Sequence, residues 1–271
     1  MISTPRTLSL AQLIALPYNP PQMVALAAAT GCTGVGLRLL PTAPGGRHYP
    51  LMDAPALLAE TLAALADTGV QVMDLEVVRL GEAFDVTAFL PLFDVGQRLG
   101  ARHLLVAGDD PDEARLTAAF ATLCEAAAPY GLTADLEFMP WTAVPNVSTA
   151  ARIVAAVAQP NAGLLVDALH FARSASTLAE VAALPRAWLH YAQVCDGRVP
   201  PPTTVEGLIF DARCERLLPG EGGIDLPGLL AALPADLPLS IEVPSERRAP
   251  AMGYTAWAAA AKAATLRLLG G

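Results

Sequence analysis

Four polar side chains recur at the ends of consecutive apolar segments in the second half of the chain. In chain order these are Glu137 in LTADLE, Asp167 in GLLVD, Gln193 in LHYAQVCD and Glu242 in LPLSIE. A strand that is buried on both faces should be apolar, so a charged residue at its end needs a reason. Three carboxylates that lie close together repel one another unless a cation neutralises them. One divalent metal ion held by the four residues is the economical interpretation.

Each of these residues also has a plainer explanation when it is taken alone. A single acid at the end of a strand is often a helix N-cap or the partner of a cation. Ion pairing therefore stays open as the alternative to metal binding. The recurrence in four consecutive segments favours the metal.

The elements that must position these side chains follow a regular rhythm of short apolar segments and helical patterns, which is typical of a parallel sheet. Eight strands are predicted, over Thr7–Leu10, Gly34–Leu39, Gln71–Val78, His103–Ala107, Leu132–Phe138, Gly163–Val166, Leu189–Cys195 and Leu239–Val243. Helices are predicted from Pro21 and over Ala54–Thr68, Val86–Leu99, Asp112–Ala128, Ser148–Ala158 with Ser148 as its N-cap, Asp225–Leu233 and Ala249–Leu269.

Eight such units in 271 residues predict a (β/α)8 TIM barrel, with one domain over residues 1–271. Enzymes with this fold carry their chemistry at the carboxyl ends of the strands, where the four polar residues would converge. A doubly wound open sheet has the same rhythm, but it usually has a GxGxxG loop after its first strand, and none follows Leu10. The irregular stretch Asp196–Gly223 is expected to be a loop over the barrel mouth.

Composition narrows the function classes. Hydrophobic residues make up 54% of the chain and charged residues 16%, which excludes a disordered protein. The Ala-rich windows are interrupted or bounded by charges, so we expect amphipathic helices rather than membrane spans. A net charge of −9 disfavours a nucleic acid partner. Four cysteines without CxxC spacing suit reduced thiols, and the chain starts without a targeting segment, so a cytoplasmic location is expected.

Several segments resemble one family. LEFMPW, GLLVDALHF, YAQVCD, ERLLPGEGGIDL and LSIEVPS are similar to the xylose-isomerase-like TIM-barrel superfamily of sugar isomerases and epimerases, whose relatives include inosose and 3-dehydroshikimate dehydratases. The resemblance covers essentially the whole chain and is most specific from Leu136 to Ser245. It implies that Glu137, Asp167, the strand-seven residue and Glu242 hold the metal.

The chain departs from this family at the strand-seven ligand, which is usually His and is Gln193 here. His190 is offset from it by three residues, so it should point to the opposite face of the strand. Amide oxygen is an acceptable ligand for hard divalent ions, and Gln also occurs in the 3-dehydroshikimate dehydratase branch. An all-oxygen set favours Mn2+ or Mg2+, with Co2+ and Zn2+ as alternatives.

The resemblance also assigns residues around the metal. His170 matches the family's DxxH, which implies either that it orients a ligand or that it transfers a proton. Arg216 stands in the family's loop before strand eight and is a candidate substrate clamp. The sequence itself, rather than the resemblance, selects Arg38 and Glu76 near the ends of strands two and three, which either bind substrate or pair with each other.

Three further residues are less defined by the sequence. Trp141 is a candidate wall of the substrate pocket, although aromatic residues in barrels are often core residues. His48 lies in the loop after strand two and receives no role. His103 begins strand four, away from the mouth, and is expected to be structural.

These residues support three functions. The first is a metal-dependent sugar isomerase or epimerase that abstracts a proton beside the carbonyl of a polyhydroxy ketone, with Glu137 and Glu242 on opposite sides of the substrate, as the resemblance implies. The second is a dehydratase of the 3-dehydroshikimate or inosose type, because the same first step can be followed by loss of water. The third is a non-catalytic ligand-binding barrel. A homo-oligomer is a further option, although no exposed apolar stripe in the sequence defines an interface.

Overall fold

The computed structural model describes residues 6–270, in which eight parallel strands close into a barrel. Each strand pairs with the next one along the chain, and the last pairs with the first. The strands are β1 (Leu8–Leu10), β2 (Gly34–Arg38), β3 (Gln71–Leu80), β4 (His103–Gly108), β5 (Thr133–Glu137), β6 (Ala162–Asp167), β7 (Ala192–Val194) and β8 (Leu239–Ile241). The predicted (β/α)8 barrel is confirmed.

Helices surround the barrel and cover the outer faces of its strands. The α-helices are α1 (Pro20–Thr30), α2 (Pro55–Thr68), α3 (Leu90–Leu99), α4 (Glu113–Ala127), α5 (Val147–Val157), α6 (Ala168–Arg173), α7 (Leu178–Ala182), α8 (Val205–Cys214), α9 (Leu226–Ala232), α10 (Arg248–Met252) and α11 (Tyr254–Leu268). Short 3-10 helices span Gln12–Ala15, Val86–Phe89, Ala128–Tyr130 and Arg186–Trp188. No helix within residues 6–270 is both long and apolar enough to cross a bilayer.

Local sequence explains where the helices begin and end. Asn19 and Gln22 form a capping box at the start of α1, and Gly31 ends that helix with a φ of 69°. The prediction that Ser148 caps α5 was wrong. Asn146 caps it instead, because its side-chain oxygen already accepts the N–H of Thr149 at 2.9 Å.

Three other element predictions need correction. The stretch Asp196–Gly223 is not wholly irregular, since α8 begins there after Thr204, whose hydroxyl accepts the N–H of Gly207 at 3.1 Å. The helix predicted over Val86–Leu99 starts as a 3-10 turn before α3. The last helix is broken at Gly253, whose φ of 83° cannot continue a right-handed helix.

The barrel interior is more polar than the strand patterns suggested. Ser9, Asp74 and Ser240 are fully buried, and none of their side-chain oxygens has a hydrogen-bond partner among the residues that the structure describes. Gly36 makes room for Asp74, because a Cβ there would come within 2.9 Å of its carboxylate. Burial, reinforced by the charge of Glu76, raises the pKa of Asp74 well above its usual value, which favours the neutral acid.

The indole of Trp257 ties α11 to the barrel. It is fully buried, and its Nε1–H donates to the carbonyl oxygen of Val243 at 2.7 Å, just beyond β8. We expect Trp257→Phe to lower the free energy of unfolding by about 1–3 kcal/mol, because the buried carbonyl loses its donor. Urea unfolding measures this change. The matched control is Trp188→Phe, at a partly exposed site, and an equal loss in the control would contradict the assignment.

Candidate active site at the carboxyl ends of β5 to β8

The four residues predicted to bind a metal lie at one end of the barrel. Glu137 ends β5, Asp167 ends β6, Gln193 lies in β7 and Glu242 follows β8 directly. Strand register places Asp167 opposite Gln193. Each of the four is at most 5% exposed, so their polar groups are shielded from bulk water.

A buried arginine joins two of these residues. The Nη1 atom of Arg216 donates to Asp167 Oδ2 at 2.6 Å, and its Nη2 atom lies 2.8 Å from Glu242 Oε2. The Nε atom donates to the carbonyl of Ala212 at 2.9 Å in the preceding helix. Arg216 therefore contacts two of the predicted metal ligands, Asp167 and Glu242. The sequence had suggested only that it clamps a substrate.

One guanidinium does not balance the charge of this site. Three carboxyl groups and Arg216 leave two negative charges if all are ionised, since burial lowers the pKa of His170 to about 4 and keeps it neutral. Burial, followed by the charges of Asp167 and Glu242, raises the pKa of Glu137 well above its usual value. Burial also raises the pKa of Glu242 to about 7, although Arg216 opposes the shift. The site has the charge to hold one dication.

Several buried atoms at the site have no hydrogen-bond partner within residues 6–270. They are Glu137 Oε1, His170 Nδ1 and both amide atoms of Gln193. An unpaired buried polar group costs about 1–3 kcal/mol, so such groups are normally satisfied by water or an ion. Carboxylate and amide oxygens suit Mn2+ and Mg2+. The donor set therefore fits a divalent metal ion.

Asp167 links the barrel to α6 and to His170. Its Oδ1 accepts the backbone N–H of His170 at 2.9 Å. Burial works to raise the pKa of Asp167, but Arg216 and His170 outweigh it and lower the pKa. The ring of His170 places Nε2 3.8 Å from Glu137 Oε1, and Trp141 packs edge-on against it at 5.1 Å.

Arg38 and Glu76 pair with each other. Arg38 Nε and Nη2 donate to Glu76 Oε2 at 2.9 and 2.7 Å, in a buried ion pair. The other carboxylate oxygen accepts the backbone N–H of Gln12 at 3.2 Å. Of the two alternatives from the sequence, the structure contains the ion pair, and substrate binding by either residue stays a prediction.

Two arginines that the sequence analysis did not select also line the mouth, beside Arg38 and Trp141. Arg79 is paired with Asp109 at 2.6 Å. Arg213 is half-buried and has no ion-pair partner in the described part of the chain. Burial, followed by the charges of Arg79 and Arg38, lowers the pKa of Arg213. Arg213 belongs to α8, which was not predicted, so no sequence signal placed it here.

The pocket at the mouth is narrow. Its volume is about 50 Å3, and its lining includes Glu137, His170 and Glu242. The loop that carries Arg216 forms part of this wall.

A buried carboxylate that was also missed holds this loop. Asp196 accepts the N–H groups of Gly220 and Gly222 at 3.0 Å through Oδ2, and that of Ile224 at 3.0 Å through Oδ1. Gly222 must be glycine, because a Cβ would come within 2.4 Å of Asp196 Oδ1. Gly220 has a φ of 88°, which favours glycine, so the segment PGEGG has a structural reason for two of its glycines.

The remaining histidines lie away from this mouth. His48 contacts the carbonyl of Gly46 at 2.9 Å within its own loop. His190 lies two residues before β7, and Gln193 lies within that strand. The two side chains are therefore separated along the barrel axis. There His103, Asp135 and His190 form a cluster whose potential metal-ligating atoms lie within 4.8 Å of one another.

Comparison with known proteins bears on the family and the fold. A family model described as xylose isomerase-like TIM barrel matches residues 24–266. A curated 3-dehydroshikimate dehydratase of Pseudomonas aeruginosa is 32% identical over 160 residues, which is 56% of this chain. The chain spans about a quarter of the length of that relative.

Solved structures share the fold at low sequence identity. The IolI protein with a bound zinc atom superposes with a TM-score of 0.80 at 20% identity, over 97% of this chain and 98% of that one. The probable 3-DHS dehydratase AsbF from Bacillus anthracis gives 0.74 at 14% identity, over 96% and 98%. D-allulose 3-epimerase from Methylomonas sp. gives 0.67 at 18% identity, over 97% and 96%.

Asp196→Asn should loosen the loop before β8. An amide has only one oxygen acceptor, so its NH2 group would face backbone N–H donors that Asp196 now satisfies. We expect hydrogen exchange at Gly220, Gly222 and Ile224 to accelerate at least tenfold. Glu221→Gln, in the same loop, is the control: it removes a part-exposed ion pair with Arg248 and keeps an oxygen that can accept the N–H of Leu218. Unchanged protection in Asp196→Asn would contradict the proposed role.

The raised pKa of Glu242 predicts that wild type and Glu242→Gln differ in stability by an amount that depends on pH, when both are stripped of metal with EDTA. Glu242 titrates near 7 in the folded state and near 4.5 when unfolded, so the folded state holds more protons between these values. Its contribution to stability therefore falls as the pH rises from 4.5 to 7. Relative to wild type, Glu242→Gln should gain up to about 3 kcal/mol across this window, measured by urea unfolding. A difference that does not vary with pH would refute the assigned shift.

Proposed function

The chain belongs to the xylose isomerase-like TIM-barrel family, and on that premise we propose that it is a divalent-metal-dependent enzyme acting on a polyhydroxy ketone. Its first chemical step is removal of a proton from the carbon beside the carbonyl. One observation carries the proposal: three carboxyl groups and an amide converge in a buried mouth, and among the described residues only the guanidinium of Arg216 forms ion pairs with them.

Glu137, Asp167, Gln193 and Glu242 would hold the ion through oxygen atoms, and Mn2+ or Mg2+ fits this set best. When bound, such an ion polarises a carbonyl group and makes the neighbouring C–H bond more acidic. The printed description of the IolI structure names zinc, so Zn2+ is a competing ion to be tested.

Glu137 and Glu242 are proposed as the base and the acid. Each is buried, and each has a raised pKa in the absence of a dication, which moves it toward the range useful for proton transfer near neutral pH. His170 lies near Glu137 and is proposed to position that carboxyl group or to relay its proton. Trp141 would hold His170 in place through the edge-on contact.

Dehydration is the outcome that we now favour over isomerisation or epimerisation. In dehydration the base takes the α-proton, and the β-hydroxyl group leaves with a proton as water. Two observations support this choice over the isomerase that the sequence placed first. The curated relative at 32% identity is a 3-dehydroshikimate dehydratase, and Gln193 stands where most of the family is expected to have His.

The cations at the mouth support an anionic substrate. Arg213 faces the pocket without a partner among the described residues, and Arg38 and Arg79 lie near it. A carboxylate on the substrate would pair with Arg213 and relieve its repulsion from the other two arginines. The isomerase alternative would be favoured by a neutral ketose that binds equally well without Arg213.

The non-catalytic barrel remains the third function. It gives no reason for two buried carboxyl groups with raised pKa values, Glu137 and Glu242, to line the same pocket. We further propose that the partner is a small molecule and that the chain binds no nucleic acid, in keeping with the net charge of −9. The native metal, a cytoplasmic location and a homo-oligomeric state are kept as hypotheses.

Replacement of either proposed proton-transfer group should abolish turnover. Wild-type protein with Mn2+ is screened against 3-dehydroshikimate, inososes and ketoses by mass spectrometry. We expect Glu137→Gln and Glu242→Gln to lower kcat at least 100-fold. Glu113→Gln, in an exposed ion pair outside the barrel, should keep full activity. In D2O, a dehydratase forms a product lighter by one water, whereas an epimerase returns deuterated substrate without that loss. Unchanged turnover in both variants would refute the assignment.

Arg213→Gln should discriminate between acidic and neutral substrates. Loss of a charged hydrogen bond raises the KM for an acidic substrate about 10- to 100-fold, because such a bond is worth about 1.5–3 kcal/mol. The KM for a neutral ketose should stay the same. Arg98→Gln, at an exposed helix position, is the control. Equal changes for both substrate types would show that Arg213 has only a structural role.

A further inference from the structure

The amino-terminal end of the barrel, opposite the proposed active site, contains a second cluster of metal-ligating side chains. His103 is the first residue of β4, Asp135 lies within β5, and His190 stands two residues before β7. Thr133, the first residue of β5, is the register partner of His103. None of these residues takes part in the proposed reaction.

A chain of hydrogen bonds fixes both imidazole rings. His190 Nδ1 lies 2.6 Å from Asp135 Oδ1, and His103 Nδ1 lies 2.7 Å from Thr133 Oγ1. The single hydroxyl hydrogen of Thr133 is donated to Asp135 Oδ2 at 2.6 Å, so Thr133 accepts from His103. Both rings therefore carry their proton on Nδ1.

This arrangement leaves the Nε2 lone pairs available when the rings are neutral. Neither Nε2 atom has a hydrogen-bond partner in the part of the chain that the structure describes. Metal-binding histidines commonly donate Nδ1–H to a carboxylate or another oxygen, which fixes the ring while Nε2 binds the ion. Asp135 and Thr133 supply such oxygens here.

Solvent reaches both rings. The side chains of His103 and His190 are 12% and 18% exposed, whereas that of Asp135 is fully buried. Both rings line a cavity of about 440 Å3 at this end of the barrel. Their planes differ by 9° and their centroids are 5.6 Å apart, so the two rings lie nearly parallel and close together.

Neighbouring residues are compatible with this cluster in shape and charge. Gly163 in β6 must lack a side chain, because a Cβ would come within 2.2 Å of Asp135 Oδ1 and 2.5 Å of His190 Nδ1. The carboxylate of Asp135 provides a nearby negative charge for a cation.

We propose that His103 and His190, oriented by Thr133 and Asp135, form a second metal site for a divalent transition ion at the amino-terminal end of the barrel. Imidazole nitrogen selects Zn2+ over Mg2+ and Mn2+, whereas the oxygen-rich mouth favours the latter two ions. The two ends of one barrel would then differ in the metal that each prefers. This proposal does not depend on the proposed reaction.

The test uses the whole protein, stripped of metal with EDTA and labelled with 15N-histidine. The chain has only four histidines, so each ring can be assigned. Addition of Zn2+ should shift the Nε2 signals of His103 and His190 and leave their Nδ1 atoms protonated, and excess Mg2+ should not reverse these shifts. Zinc-induced shifts confined to His170 or His48 would overturn the proposal.

A double variant gives an independent measurement of stoichiometry. In His103→Asn/His190→Asn the amide nitrogen can replace Nδ1 as the donor to Thr133 and Asp135, while nothing replaces Nε2. Calorimetric titration should show the loss of one Zn2+ equivalent per chain. Glu137→Gln/Glu242→Gln and the matched control His48→Asn should keep that equivalent. Its retention in the double Asn variant would overturn the proposal, and circular dichroism monitors folding in each case.

Discussion

Repulsion among buried carboxyl groups is the constraint on which the rest of the mouth depends. Glu137, Asp167 and Glu242 are held by successive parts of a closed barrel, so backbone movement cannot separate them. Arg216 relieves part of the repulsion, and Asp196 holds the loop through which the chain returns from that arginine to β8. Burial, together with the remaining negative charge, explains the raised pKa values of Glu137 and Glu242. The remaining charge also explains the need for a cation.

Polarity at the two ends of the barrel follows from one property of parallel strands. Alternate residues point inward, so a single strand such as β5 contributes Asp135 to one end and Glu137 to the other. Carboxylate and amide oxygens lie at the mouth, whereas the imidazole rings of His103 and His190 lie around Asp135 at the opposite end. The buried side chains of Ser9, Asp74 and Ser240 also make the interior unusually polar for a packed barrel.

Much of this arrangement could be predicted from the sequence, because strand order and alternation determine where a strand end lies. Glu137, Asp167, Gln193 and Glu242 were located by that reasoning, although their metal-binding role remains a prediction. Side-chain contacts across the barrel could not be predicted, since neither spacing nor composition reports them. Asp196 was noted only as the start of a loop, without a role, and the position of Arg213 depended on the unpredicted helix α8. The cluster around Asp135 joins β4, β5 and the start of β7, which are distant in sequence.

Anomalous diffraction from a crystal soaked in Mn2+ is the most direct test of the central claim. We expect one strong manganese peak at the mouth, at a position where the ion contacts oxygen atoms of Glu137, Asp167, Gln193 and Glu242. A mouth without a peak at saturating Mn2+, with Arg216 still bridging Asp167 and Glu242, would show that the guanidinium alone is the cation of this site.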